Sequence, residues 1–156
     1  MKAQKKCEAG KYTATEGQST CLLTEPGKEA KADKTGQLDC AKGETSTPGG
    51  VCGPCDPGSF AGDEGSPSCT PARKGYYVKD SDRTEEIKCD EGSYSPGSGA
   101  TACARCPLGT YTKDKARSVC EKAKKGWYVV CAEIKFDDAF MAWQCASLTA
   151  RLSQHR

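Results

Sequence analysis

One cysteine frame repeats along this chain and limits what it can become. A cysteine is followed at +3 by glycine, at +5 by an aromatic and at +14 by a second cysteine, and the next copy begins three residues later. The full frame is Cys7, Gly10, Tyr12, Cys21; Cys55, Gly58, Phe60, Cys69; Cys89, Gly92, Tyr94, Cys103; and Cys106, Gly109, Tyr111, Cys120. A shortened copy is Cys40, Gly43, Cys52. Two copies keep the glycine and aromatic without cysteines: Ala72, Gly75, Tyr77 and Ala123, Gly126, Tyr128. A weaker copy is Thr24 with Gly27. In chain order these are units 1 to 8, starting at Cys7, Thr24, Cys40, Cys55, Ala72, Cys89, Cys106 and Ala123. Cys131 and Cys145 repeat the spacing as a ninth unit, with Phe136 in the aromatic slot but Ile134 in place of glycine. Self-similarity at a fixed period is the mark of an array. The units group into cysteine-rich triplets at residues 7–54, 55–105 and 106–145, the last unit being the least regular. Residues 1–6 form a basic leader and residues 146–156 a tail.

The composition excludes an ordinary globular interior. Leu, Ile, Val and Phe together number 16 of 156 residues. So low a fraction usually means disorder when net charge is high, but here the net charge is +2 and there are 12 cysteines. Closing a 15-residue loop with a disulfide removes roughly 3 kcal/mol of unfolded-state freedom. Covalent loops therefore replace the missing core, and an oxidising compartment is expected. The basic start of Met1, Lys2, Lys5 and Lys6 has no apolar segment after it, so no signal peptide is visible. The chain is read as a fragment, an incomplete gene model or a mature piece of a larger secreted chain. No stretch approaches membrane-spanning length.

Each unit reads as a turn followed by a short strand. Glycine at +3 can take positive φ, and the aromatic at +5 then lies against the sulfurs as a miniature core. Seven of the 11 aromatics occupy that slot. Two short antiparallel strands per unit are expected, with two-residue spacers such as Gly53-Pro54 and Ala104-Arg105 holding the units close. Units this small must stack on their neighbours. The fold class is thus small and disulfide-rich, an elongated array of two-stranded antiparallel units with many turns. Cysteine-free units are the expected soft points, with a long loop from Val78 to Lys88. After Lys135, Asp137 or Asp138 could cap a C-terminal helix, with Phe140, Trp143, Leu148 and Leu152 near one face. A cap over the last unit, or sequence from an incorrect exon end, is favoured over a partner-docking helix.

The frame resembles the ephrin type-A/B receptor-like cysteine-rich repeat, related to growth-factor-receptor and tumour-necrosis-factor-receptor modules. The residues that carry the likeness are Cys106-Pro107-Leu108-Gly109-Thr110-Tyr111 through Cys120 and Cys55-Asp56-Pro57-Gly58-Ser59-Phe60 through Cys69. The resemblance implies an extracellular or cell-surface segment whose first and second cysteines pair within each unit. Here that gives Cys7–Cys21, Cys40–Cys52, Cys55–Cys69, Cys89–Cys103, Cys106–Cys120 and Cys131–Cys145. Crossed pairings also occur in related modules, and four cysteines allow three connectivities per triplet.

Other chemistries fit less well. Cys52-Gly53-Pro54-Cys55 is the tetrapeptide of thioredoxin-type redox sites, but Pro48-Gly49-Gly50 before it and Pro57-Gly58 after it do not supply the required strand and helix. Zinc would join this pair with Cys103 and Cys106, at a spacing longer than ribbon sites use. The single histidine is His155, next to the last residue, and the carboxylates Asp80, Asp82, Glu85 and Glu86 read as a solvated charged loop, so hydrolytic or acid–base catalysis has little support. The basic runs are short and nearly balanced by acids, which argues against nucleic acid. The expected role is a structural spacer or a protein-binding or adhesion surface of a receptor-like or secreted protein, without cofactor and not an enzyme. Its partners would be a protein ligand or neighbouring domains of a larger chain. Tyr76 and Trp127, which precede the frame's aromatic and point to the opposite strand face, are the candidate contacts. The alternative is a zinc-binding or thiol-redox protein in a reducing compartment.

Overall fold

The structure is a computed structural model that describes residues 4–129. The expected ninth unit, with Cys131 and Cys145, and the expected C-terminal helix lie outside the described residues. The chain divides into two compact parts, Met1–Lys122 and Ala123–Arg156.

The first part holds seven two-stranded antiparallel sheets, one for each of units 1 to 7. Unit 1 pairs β1 (Lys11–Tyr12) with β2 (Leu22–Leu23), and unit 2 pairs β3 (Lys28–Ala30) with β4 (Gln37–Asp39). Unit 3 pairs β5 (Glu44–Thr45) with β6 (Gly53–Pro54), and unit 4 pairs β7 (Ser59–Phe60) with β8 (Thr70–Pro71). Unit 5 pairs β9 (Tyr76–Lys79) with β10 (Asp82–Lys88). Unit 6 pairs β11 (Ser93–Tyr94) with β12 (Ala104–Arg105), and unit 7 pairs β13 (Thr110–Tyr111) with β14 (Glu121–Lys122). The second strands of units 3, 4, 6 and 7 are therefore the dipeptides that sequence reading assigned to spacers, Gly53-Pro54, Thr70-Pro71, Ala104-Arg105 and Glu121-Lys122. Proline is tolerated there because Pro54 and Pro71 lie in short edge strands that need no inner ladder bond.

A tight turn starts every hairpin. The residue at +4 donates its N–H to the carbonyl at +1, as in Ser59 to Asp56 at 2.9 Å and Thr110 to Pro107 at 3.0 Å. The third residue of the turn is the frame glycine, with φ between 70° and 82° across units 1 to 8. That is the conformation a type II turn demands. In the second part, the described residues show the same turn, with Trp127 donating to Lys124 at 3.0 Å and Gly126 at φ 82°.

Within the first part the units are joined by a repeating set of backbone hydrogen bonds. The first residue of each unit donates to the frame glycine of the unit before it: Thr24 to Gly10, Cys40 to Gly27, Cys55 to Gly43, Ala72 to Gly58, Cys89 to Gly75 and Cys106 to Gly92, at 2.8–3.1 Å. That same first residue then accepts, through its carbonyl, from the second turn of the following unit. Gly65 donates to Cys40 at 2.9 Å, Gly99 to Ala72 at 2.8 Å and Ala116 to Cys89 at 2.8 Å. A third rung links +6 to +11 of the next unit, as in Ala61 to Arg83 at 3.0 Å and Val78 to Ala100 at 2.9 Å. None of these bonds depends on side-chain identity, so a unit without cysteines keeps its place.

The core is small and occupies two slots of the frame. Among the described residues the buried side chains are Thr24, Cys40, Cys55, Ala72 and Cys89 at the first position, and Ser46, Ala61, Val78, Ser95 and Thr112 at +6. The aromatics Tyr12, Phe60, Tyr77, Tyr94 and Tyr111 are half-buried beside this seam rather than at its centre. Bulky rings do not fit where hairpins approach closely enough to share backbone hydrogen bonds. Unit 5 is no loose loop either. Its second strand is the longest in the molecule's described part, spanning Asp82–Lys88 with a register shift between Asp82 and Ile87.

Candidate functional site

The cystines fix the hairpins. Among the described residues five disulfides join Cys7 to Cys21, Cys40 to Cys52, Cys55 to Cys69, Cys89 to Cys103 and Cys106 to Cys120. Four span 14 residues and the Cys40–Cys52 bridge spans 12. Cys52 and Cys55 thus belong to different bridges, as do Cys103 and Cys106. The two Cys-x-x-Cys sequences are junctions between consecutive hairpins, where β6 and β12 pass from one unit to the next.

Frame glycines lie where units two apart touch. A Cβ on Gly58 would stand 2.0 Å from the Gly99 carbonyl oxygen, and one on Gly75 would stand 2.1 Å from that of Ala116. Gly10 meets Gly49 and Gly27 meets Gly65 in the same way. Gly92, Gly109 and Gly126 have open space where their Cβ would be. Their glycine is required by positive φ alone.

The two candidate contact residues differ in setting. Tyr76 is half-buried in β9, with the Arg73 guanidinium 4.7 Å from its ring centre. That is cation–π distance. Trp127 is 75% exposed and its neighbour Tyr128 is 85% exposed. Tyr128 thus departs from the other described aromatics of its slot. Leu108 and Val119 of unit 7 are also largely exposed. A shallow, open concavity of about 450 Å³ lies between units 3 and 5, lined by Lys42, Glu44, Pro54, Asp80, Asp82 and Arg83. Arg83 also donates to the Cys55 carbonyl, tying unit 5 to unit 4. No described helix is long and apolar enough to cross a membrane.

Residues 75–121 match the family model described as tyrosine-protein kinase ephrin type A/B receptor-like. With its two bridges, this stretch fits an ephrin receptor-like cysteine-rich repeat. No curated protein matches the chain. The matched repeat begins at Gly75 of unit 5 and ends at Glu121 in β14, so it contains the bridges Cys89–Cys103 and Cys106–Cys120. Outside it, units 1 to 4 carry the same turn, the same strand register and the same inter-unit hydrogen bonds. The ephrin receptor-like repeat is a receptor-type cysteine-rich module.

Sequence reading missed the +6 slot, although it had a signal. Thr13, Ala30, Ser46, Ala61, Val78, Ser95 and Thr112 are all small or β-branched there. It also missed Lys34 and Ala116, which take the second turn at φ 65° and 60° where other units use glycine.

Proposed function

We propose that this chain is an extracellular repeat segment of a receptor-like or secreted protein, acting as a structural spacer that presents protein-binding side chains. The observation that carries the reading is the division of labour between backbone and side chains. Backbone groups, cystines and small residues at two slots hold the units together, which leaves the strand-borne side chains free to vary without loss of the fold. Repeats that contact only near neighbours suit this use. Trp127, with Tyr128 beside it, is the more accessible of the two candidate contacts, and Tyr76 is engaged by Arg73.

The cystines support an extracellular location, since disulfides form and persist in oxidising compartments outside the cytosol. Every described cysteine is committed to a bridge within its own unit, which speaks for a scaffold over zinc ligation or thiol exchange. Expression through a eukaryotic secretory pathway tests the proposal. It predicts a secreted, monodisperse protein whose non-reducing peptide map contains the five described bridges. Retention as a misfolded aggregate, alongside a folded thiol form from the cytosol, would contradict it.

A further inference from the structure

The second cysteine of each cystine unit stands three residues before the next unit: Cys21, Cys52, Cys69, Cys103 and Cys120. In the two cysteine-free units of the first part, that place is held by Gln37 and Glu86, three residues before Cys40 and Cys89. The strand register confirms the equivalence. Cys69 precedes Thr70, which faces the aromatic Phe60, and Glu86 precedes Ile87, which faces the aromatic Tyr77.

Both side chains reach across the hairpin to the residue after the unit's first position. Glu86 Oε2 accepts from the Arg73 backbone N–H at 2.9 Å, and Oε1 accepts from Arg73 Nε at 2.6 Å. The Glu86 side chain is only 11% exposed, unlike a solvated surface acid. Gln37 Oε1 accepts from the Glu25 backbone N–H at 3.0 Å, and its Nε2 donates to Glu25 Oε2 at 3.2 Å. Two different side chains thus make the same pair of contacts, one to the backbone N–H and one to the side chain of that residue. A chance surface ion pair would not recur in an uncharged form at the same slot.

We propose that Glu86 and Gln37 are hydrogen-bonded clasps that take the place of the missing cystines and close units 5 and 2 without oxidation. The inference goes beyond the proposed function and does not rest on it. It also accounts for the order of unit 5, where loss of both cysteines would otherwise leave the hairpin open at its base.

Amide hydrogen exchange on the oxidised protein tests it. Glu86→Ala is expected to speed exchange about tenfold or more at Arg73, Gly75 and Cys89, since the Arg73 N–H loses its acceptor and the hairpin base loses its closure. The Cys55 amide, bonded to Gly43 in unit 3, should be unaffected. Glu86→Gln supplies the acceptor that Gln37 uses in unit 2 and is expected to stay close to the parent. Unchanged exchange in Glu86→Ala, or equal acceleration in both variants, would overturn the proposal. Should Glu86→Ala not fold, Gln37→Ala read at the Cys40 amide makes the same distinction. The double variant Ala72→Cys/Glu86→Cys tests the slot itself. Peptide mapping should find the two introduced thiols joined, and two free thiols after full oxidation would contradict the equivalence.

Discussion

Gly58 and Gly99 share a positive φ and differ in what surrounds them. Gly99 has only Pro71 Cβ nearby, at 3.9 Å from an added Cβ, whereas Gly58 would drive its Cβ to 2.0 Å from a carbonyl oxygen. Gly99→Ala should therefore cost the left-handed penalty alone, roughly 1–2 kcal/mol. Gly58→Ala adds overpacking of about 1–3 kcal/mol, and denaturant melts of both variants should show the gap. Lys34 and Ala116 run the comparison in reverse. They already hold left-handed conformations at the second turn, so Ala116→Gly should stabilise the fold by about 0.5–1 kcal/mol after glycine's own entropy cost. The frame glycines were legible in the sequence because every unit repeats them. Lys34 and Ala116 were not, because neither residue type signals positive φ.

At the scale of the hairpin, the first position admits only what fits between two backbones. Ala72 is fully buried there, donates to Gly58 and accepts from Gly99. Ala72→Leu should destabilise by about 1–3 kcal/mol through overpacking, while Ala72→Ser stays within about 1.5 kcal/mol. Unit 5 should also respond to acid. Burial pushes the Glu86 carboxyl upward, but hydrogen bonds from the Arg73 side chain and N–H, with its charge, hold it below its ordinary value. A carboxyl depressed in the folded state stabilises fully above its unfolded value, and that stability is lost as pH falls through the folded value. Because the protonated carboxyl keeps an uncharged acceptor, as Gln would, exchange at the Arg73 amide should quicken only modestly as pH drops below about 4.5, after correction for intrinsic rates, and the Glu86→Gln variant should lack this step. The turn and first strand could be read from Cys-x-x-Gly-x-aromatic. The second strand could not, because Gly53-Pro54 or Thr70-Pro71 carries none of the β-branched or alternating pattern that marks a strand. Its pairing comes from the cystine that precedes it and the turn opposite.

Across the molecule, stability rests on cross-links and backbone ladders. Among the described residues the ten buried side chains include three half-cystines and a single large aliphatic, Val78. Replacing Cys89 and Cys103 together by alanine should cost about 3 kcal/mol, the closure term for a loop of 15 residues. Local opening centred on unit 6 should follow. The dependence on sulfur and the hairpin array were legible in cysteine spacing and scarce apolar residues. The small-residue seam was hidden, since the aromatics drew the eye and the seam's members are individually unremarkable Ser, Thr, Ala and Val. The most direct test compares amide exchange at Cys40, Cys55, Ala72, Cys89 and Cys106 in the oxidised protein and after complete reduction at neutral pH. The account predicts strong protection at these inter-unit bonds while the bridges are intact and its loss once every thiol is free. Protection that survives full reduction would contradict it.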